Sequence, residues 1–418
     1  MRIIEAFETY HQTISRIQTA RSNHLGYPYN LTHRSSVPGV MGNWLINNLG
    51  DPYAGSHFAS EVCGLERDVV AWLMKLWECD EPSDYWGSVG ASGTEGNLWA
   101  IYLAREALPD ATLLYSQDAH YSIAKSARIL RIKTREIESH PDGSIDLMSL
   151  RQALAELQGK QVILALTCGT TIKGAHDNIA GAILALDQMG FPPSQRFVHI
   201  DGALNAMVLP FLEGVPKEIR PSFRLAIDSI STSGHKMIGT AMPCGVLIVQ
   251  RSHVDRVAQA IAYLRSNDTT LMGSRNGHAV LALWASLLGR EVEAIAADVR
   301  RCIQSAQSFA RTLSEEGVPV LLNPFSLTLV FPEPPDDLVR KYQLASSNGR
   351  SHAIVMPSVT QDLIDQFTAD YLAWFCSSPH REPVQFRGDR NKPSSHGARA
   401  SGMREAVFSD AALVAAEI

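Results

Sequence analysis

Leu225-Ala226-Ile227-Asp228-Ser229-Ile230-Ser231-Thr232-Ser233-Gly234-His235-Lys236 runs from an apolar–polar alternation into small hydroxyl residues and ends on a His-Lys pair. The alternation predicts a strand over residues 225–230, with Lys236 just beyond its carboxyl end. On either side, strand-like runs occupy residues 85–89, 112–115, 132–137, 162–167, 197–200 and 246–249. Helical three- and four-residue spacing fills residues 95–107, 123–130, 147–157 and 180–189 between them. Such alternation predicts an α/β fold built on a seven-stranded, mostly parallel sheet flanked by helices. Ligands of these sheets gather beyond the carboxyl ends of the strands. Ser92-Gly93-Thr94, Asp201 and residues 231–236 all fall there.

The remainder of the chain frames this unit. Residues 1–55 read as a helix followed by Gly-, Pro-, Tyr- and Asn-rich loops suited to lining a site, among them Tyr27, Tyr29 and Asn30. A core-facing helix is predicted over 61–77 at the start of a large domain spanning 56–265. A smaller C-terminal α/β domain covers 266–378, in which one long helix follows residues 273–278 and runs to about Leu313. Strand-like pieces follow at 318–322, 327–331 and 353–356, with helices from Asp337 and through Trp374. Residues 379–418 have linker composition and are expected to be a disordered tail, with a marginal helix over 406–418.

Of the 418 residues, 45% are apolar and 19% charged, as in an ordinary globular enzyme. A net charge of −6 gives no basic footprint for nucleic acid or an anionic membrane. No apolar run reaches bilayer length, and Met1-Arg2-Ile3-Ile4-Glu5 lacks the apolar core of a signal peptide. The six cysteines are scattered without a CxxC pair, which reads as reduced cytoplasmic thiols and argues against a disulfide framework or a zinc site.

Lysine ordinarily snorkels its ammonium to water. At Lys236 the small neighbours leave room for a bound group, and the hydroxyls with His235 offer hydrogen bonds to an anion. A primary amine so placed suits a Schiff base with an aldehyde, and pyridoxal 5'-phosphate is the aldehyde whose phosphate would use those hydroxyls. Its ring nitrogen needs a carboxylate, which Asp201 supplies if it does more than cap the next turn. Ser92-Gly93-Thr94, between a strand and a helix, reads either as a phosphate seat or as a simple N-cap. His120 could stack on a ring or serve as a hydrogen-bonded loop histidine. Lys173, in Cys168-Gly169-Thr170-Thr171-Ile172-Lys173, competes as a Schiff-base lysine but lacks the hydroxyl-rich approach.

Taken together and in order, SGTEGN (92–97), DAHYS (118–122), GTTIKGAHD (169–177), HIDGALNAMVLPF (199–211), STSGHKMIG (231–239), PCGV (243–246) and GSRNGH (273–278) resemble the pyridoxal-phosphate group II amino-acid decarboxylases. The similarity covers about residues 25–375 and lies with the histidine decarboxylase and plant-type serine decarboxylase branch. It implies fold type I, like aspartate aminotransferase, and a homodimer with shared active sites. By matching position it implies Lys236 as the cofactor lysine, Asp201 at the pyridine nitrogen and His120 stacked on the ring. Gly93, Thr94, Ser233 and His235 match the phosphate contacts, Thr171 and Asp177 support the ring, and Ser274 of the partner subunit completes the seat.

Residues 25–31 and 47–52 look more like those of serine decarboxylases, and no excess of acid or base marks them. The expected reaction is decarboxylation of a small neutral amino acid, L-serine to ethanolamine, with L-histidine second and alanine or valine third. One departure stands out. The resemblance leads to a proton-donating tyrosine after the GSRNGH helix, yet no tyrosine follows it before Tyr342. Oxygen trapping to an aldehyde is therefore an alternative outcome. A cofactor-free lysine aldolase and a pyridoxal-binding pseudoenzyme are the rival classes.

Overall fold

The computed structural model describes residues 3–32, 43–54, 57, 58 and 60–377. The expectations for 379–418 lie outside the described residues. The chain begins with α1 (Ile3–Arg21), β1 (Asn47–Leu49) and α2 (Cys63–Leu76). There follow β2 (Tyr85–Gly90), α3 (Gly93–Ala107), β3 (Thr112–Ser116), α4 (Tyr121–Leu130), β4 (Lys133–Ile137) and α5 (Leu147–Glu156). Then come β5 (Val162–Thr167), α6 (Ile179–Gln188), β6 (Arg196–Asp201), β7 (Ser229–Ser233) and β8 (Gly245–Gln250).

The strands from β2 to β8 form a seven-stranded sheet in the order β2-β8-β7-β6-β5-β3-β4. Only β8 runs against the rest. Successive side chains point to opposite faces. Leu113, Ile163, Phe197 and Leu247 therefore pack on one side with Trp99 and Leu103 of α3. Leu114, Leu164, Val198 and Ile248 pack on the other with Val69, Val70 and Leu73 of α2. Both faces are covered, so these strands read as nearly continuous apolar runs. Each such side chain contributes roughly 1.5–3 kcal/mol through burial.

Downstream lie α7 (Arg251–Val254), β9 (Gln259–Ile261), β10 (Ser266–Asp268), β11 (Ser274–Asn276), α8 (Gly277–Leu288) and α9 (Val292–Glu315). The chain continues with β12 (Leu321–Leu322), β13 (Thr328–Pro332), α10 (Asp336–Tyr342), β14 (Ala345–Ser347), β15 (Arg350–Ile354) and α11 (Gln361–Ser377). A second sheet, antiparallel in the order β12-β13-β15-β14, packs against α9 and α11. β9 and β10 form a hairpin, and β11 pairs with β1.

Two elements differ from their sequence reading. The strand expected over 225–230 is β7, displaced toward Lys236 so that the hydroxyl residues lie inside it. Ser229 Oγ meets His199 Nδ1 at 2.8 Å and Ser231 Oγ donates to Asn97 at 2.7 Å, so buried polar partners on neighbouring elements make a serine-rich strand affordable. The long helix expected to Leu313 is two helices, because Glu291 is extended (φ −65°, ψ 138°) and Arg290 turns back to pair with Asp298 at 2.6 Å.

Candidate active site

Five strands deliver chemistry to one edge of the large sheet. β2 leads to Ser92, Gly93 and Thr94, β3 to His120, β5 to Thr171, β6 ends on Asp201, and β7 leads to Lys236. A cavity of about 390 Å³ opens there, lined by Gly93, Thr94, His120, Asp201, Ser233, His235 and Lys236. Tyr27, Tyr29 and Asn30 close its other side. Tyr29 lies 4.6 Å from Tyr27 and 6.1 Å from His235, ring centre to ring centre, forming an aromatic rim.

Lys236 sits in the tight turn Gly234–Ile238 that follows β7, its own backbone outside helical geometry (φ −86°, ψ −117°). The turn is closed by Gly239 at φ 84°, where an added Cβ would lie 2.6 Å from Asn30 Nδ2. Asn30 Nδ2 in turn donates to Met237 O at 3.1 Å, so the N-terminal loop braces the lysine turn. Burial lowers the Lys236 pKa, while Asp201 opposes that shift. A lysine so placed is more readily neutral, and hence nucleophilic, than one in water. Asp201 is buried, with Oδ2 accepting from Asn97 Nδ2 at 2.7 Å and Oδ1 from Ala203 N at 3.1 Å. His120 caps α4 and its Nδ1 lies 2.7 Å from Ser122 Oγ. Burial first, and then Lys236 and Lys125, lower its pKa against a raising effect from Asp201, favouring a neutral ring.

The donor set fits a phosphorylated aldehyde. An added Cβ at Gly93 would lie 2.4 Å from Ser233 Oγ, so glycine keeps the α3 N-terminus open beside that hydroxyl. His235 accepts from Cys244 N at 3.3 Å, and burial with the Lys236 charge lowers its pKa.

Thr171 lies on an adjoining cavity of about 90 Å³ that shares His120, Asp201 and Lys236 with the first. Lys173 is tied to Asp118 at 3.2 Å and lies outside both these cavities. Asp177 lines neither of these cavities. Its carboxylate accepts from Ile145 N and Thr167 N, both at 2.7 Å, and so holds the end of β5 and the following loop. Burial raises its pKa to about 7, although both amides pull it down. Ser274 is exposed on β11 and does not reach the cavity of its own chain.

Three further participants carry no site signature in the sequence: Asn97, Ser122 and His199. Asn97 joins Asp201, Ser122, Ser231 and His199 through one buried amide. His199 precedes Asp201 by two on the same strand, and Asn97 follows Gly93 by one helical turn; those spacings were the available signals. The link after α8 is only residues 289–291, with no tyrosine. An exposed phenol lies before that helix instead: Tyr263, 73% exposed, in the β9–β10 hairpin.

Comparison with known proteins agrees with this geometry. The pyridoxal-dependent decarboxylase conserved domain matches residues 4–331. Serine decarboxylase 1 of Oryza sativa subsp. japonica is 39% identical over 346 residues, 82% of this chain and 71% of that protein. A histidine decarboxylase of Pseudomonas entomophila is 37% identical over 352 residues, 83% of this chain and 86% of that one. Among solved structures, L-methionine decarboxylase from Streptomyces sp.590 superposes with TM-score 0.78 at 24% identity, covering 89% of this chain and 96% of that one.

Proposed function

The chain belongs to the pyridoxal-dependent decarboxylases, and on that footing we propose that it converts a small neutral L-amino acid, L-serine first, to its amine and carbon dioxide. The observation that carries the choice of substrate is the cavity wall. Beyond Lys236, Asp201, His120 and His235 it offers hydroxyl, amide, phenol and apolar groups, with neither Arg nor Glu among its described residues. A charged substrate side chain would find no counter-charge there and would bear its desolvation cost alone. At about 390 Å³ the cavity lies near the lower end of small-molecule sites, and a bound cofactor leaves room for a short side chain. L-Histidine is the second reading, supported by the 37% identity to the bacterial histidine decarboxylase.

Lys236 would hold the cofactor aldehyde, Asp201 the protonated ring nitrogen, His120 one ring face, and Gly93, Thr94, Ser233 and His235 the phosphate. When bound, pyridoxal phosphate supplies an electron sink for the pair left by the departing carboxylate. Asp201 keeps the ring nitrogen's proton in place, His120 shields one face from water, and Tyr27 with Tyr29 closes the mouth. Thr171 supports the ring from the adjoining cavity, and Asp177 acts at one remove through the loop it anchors.

The same proposal makes the enzyme a cytoplasmic homodimer with shared sites. No helix among the described residues is long and apolar enough to cross a membrane. Trp44, Leu45, Tyr263 and Met272 are large exposed side chains flanking the β1–β11 pair and the β9–β10 hairpin. In a dimer this surface would bring Ser274 and Tyr263 to the second copy's cavity, the former to the phosphate and the latter as proton donor to the substrate α carbon. The working division remains 1–55, 56–265, 266–378 and 379–418. Family membership leaves the cofactor-free aldolase and the pseudoenzyme without support. Carbon dioxide release across the twenty amino acids, with added pyridoxal phosphate, tests the substrate: serine should lead by kcat/KM. Preference for histidine would install the second reading, and peroxide with aldehyde in place of amine would redirect the reaction.

A further inference from the structure

Asn97 is 1% exposed, and each polar atom of its amide is engaged twice. Nδ2 donates to Asp201 Oδ2 at 2.7 Å and to Ser122 Oγ at 2.9 Å. Oδ1 accepts from Ser231 Oγ at 2.7 Å and meets His199 Nε2 at 3.0 Å. The direction of these bonds follows from chemistry. An ionised carboxylate only accepts, so the amide nitrogen must face Asp201 and the oxygen must face Ser231 and His199. His199 then carries its proton on Nε2, and its Nδ1 accepts from Ser229 Oγ at 2.8 Å.

The bonded chain continues outward through Ser122. Its backbone amide lies 3.3 Å from His120 Nδ1, and an amide can only donate. Nδ1 of His120 therefore bears the lone pair. Ser122 Oγ, 2.7 Å from that nitrogen, accepts from Asn97 and donates to His120. A neutral imidazole with a lone pair on Nδ1 has its proton on Nε2.

We propose that Asn97 and Ser122 form a positioning relay, which fixes the Asp201 carboxylate and locks His120 in the tautomer that carries its proton on Nε2. The relay joins two groups that act on different parts of the site, the carboxylate at the ring nitrogen and the imidazole at the ring face, through one buried amide. Every member is hydrogen-bonded, and a fully satisfied buried network rigidifies what it holds. Neither Asn97 nor Ser122 needs to touch the reacting atoms. Each acts through Asp201 or His120, and the inference rests on those two serving the decarboxylation.

The test separates the relay from that reading. Protein labelled with ¹⁵N-histidine, first without cofactor, is examined by long-range proton–nitrogen correlation, with His120 assigned by loss of its signals in His120→Gln. Wild type should show one neutral tautomer, protonated at Nε2. Ser122→Ala should add the Nδ1-protonated form and, in the reconstituted enzyme, lower kcat by roughly ten- to a hundredfold with KM within about threefold. Ser122→Thr, which keeps the hydroxyl, should restore both. A wild-type ring protonated at Nδ1 overturns the relay, as does an unchanged tautomer in Ser122→Ala, or a changed tautomer with unaltered kcat. The wild-type spectrum decides the tautomer whatever the stability of the variants, and it does so even if no amino acid is turned over.

Discussion

Lys236 is half-buried and feels the charge of Asp201, and their division of labour can be separated by substitution. Lys236→Ala should abolish steady-state turnover together with the absorbance band of the lysine-bound cofactor; survival of either contradicts its assignment. Asp201→Ala should keep that band while kcat falls by roughly 10²–10³-fold, since the charge that holds the ring nitrogen's proton is gone. Buried histidines set a separate pH limit. His176, His199 and His352 are each lowered to about 4 by burial, and His199 feels a smaller raising effect from Asp201. Unfolded, such rings titrate near 6.5. Their folded pKa values are depressed, so protonation favours the unfolded chain. Stability is therefore complete above about pH 6.5 and declines as pH falls toward 4, each ring contributing on the order of 1 kcal/mol per pH unit. Thermal melts between pH 7.5 and 4.5 should show this decline, and His352→Gln should flatten part of it. Melts independent of pH across that window would mean that these rings are hydrated or already charged.

The junction of β2 with α3 and the turn after β7 meet at Gly93 and Ser233, where an added Cβ would stand 2.4 Å from Ser233 Oγ. Gly93→Ala should weaken cofactor binding by at least about tenfold, measured by reconstitution of apoprotein, and the melting temperature of the apoprotein should change little. Unaltered affinity would remove Gly93 from the phosphate seat. Much of this edge was legible in the sequence. The strands ending at Thr167 and Asp201 are buried on both faces, the first an uninterrupted apolar run and the second apolar but for Arg196 and His199, and Gly93 and Lys236 each follow within three residues of a strand end. What escaped depends on pairings across distant parts of the chain. β7 begins four residues later than the sequence pattern suggests because its three serines carry weak strand signals, and Asn97 and His199 partner the buried Ser231 and Ser229 hydroxyls here. Asn97 itself looks like an ordinary helix residue until Asp201, 104 positions later, is folded against it. The break between α8 and α9 rests on the Arg290–Asp298 pair and an extended Glu291, neither of which interrupts helical spacing. The matching position says nothing of the two backbone amides that hold the Asp177 carboxylate within the loop.

Sharing of sites between two copies makes a prediction that a self-sufficient subunit does not. Sedimentation should give twice the 45.8 kDa of one chain. Tyr263 is far too exposed, at 73%, for a residue packed within its own subunit, and its hairpin is held in place through Asn267 O, which accepts from Asp51 N at 3.2 Å. If its phenol protonates the substrate α carbon in the neighbouring cavity, Tyr263→Phe should lower amine formation by roughly 10²-fold and divert product to aldehyde with peroxide. Lys236→Ala should be inactive for a different reason, the loss of the cofactor amine. Mixing the two inactive variants under conditions that exchange subunits then discriminates. In a crossed arrangement one site of each mixed dimer pairs an intact Lys236 with an intact Tyr263. Random exchange makes half of the dimers mixed, so activity should return to about a quarter of the wild-type value. If each Tyr263 served its own chain, both sites of every mixed dimer would be defective, and mixing would restore nothing.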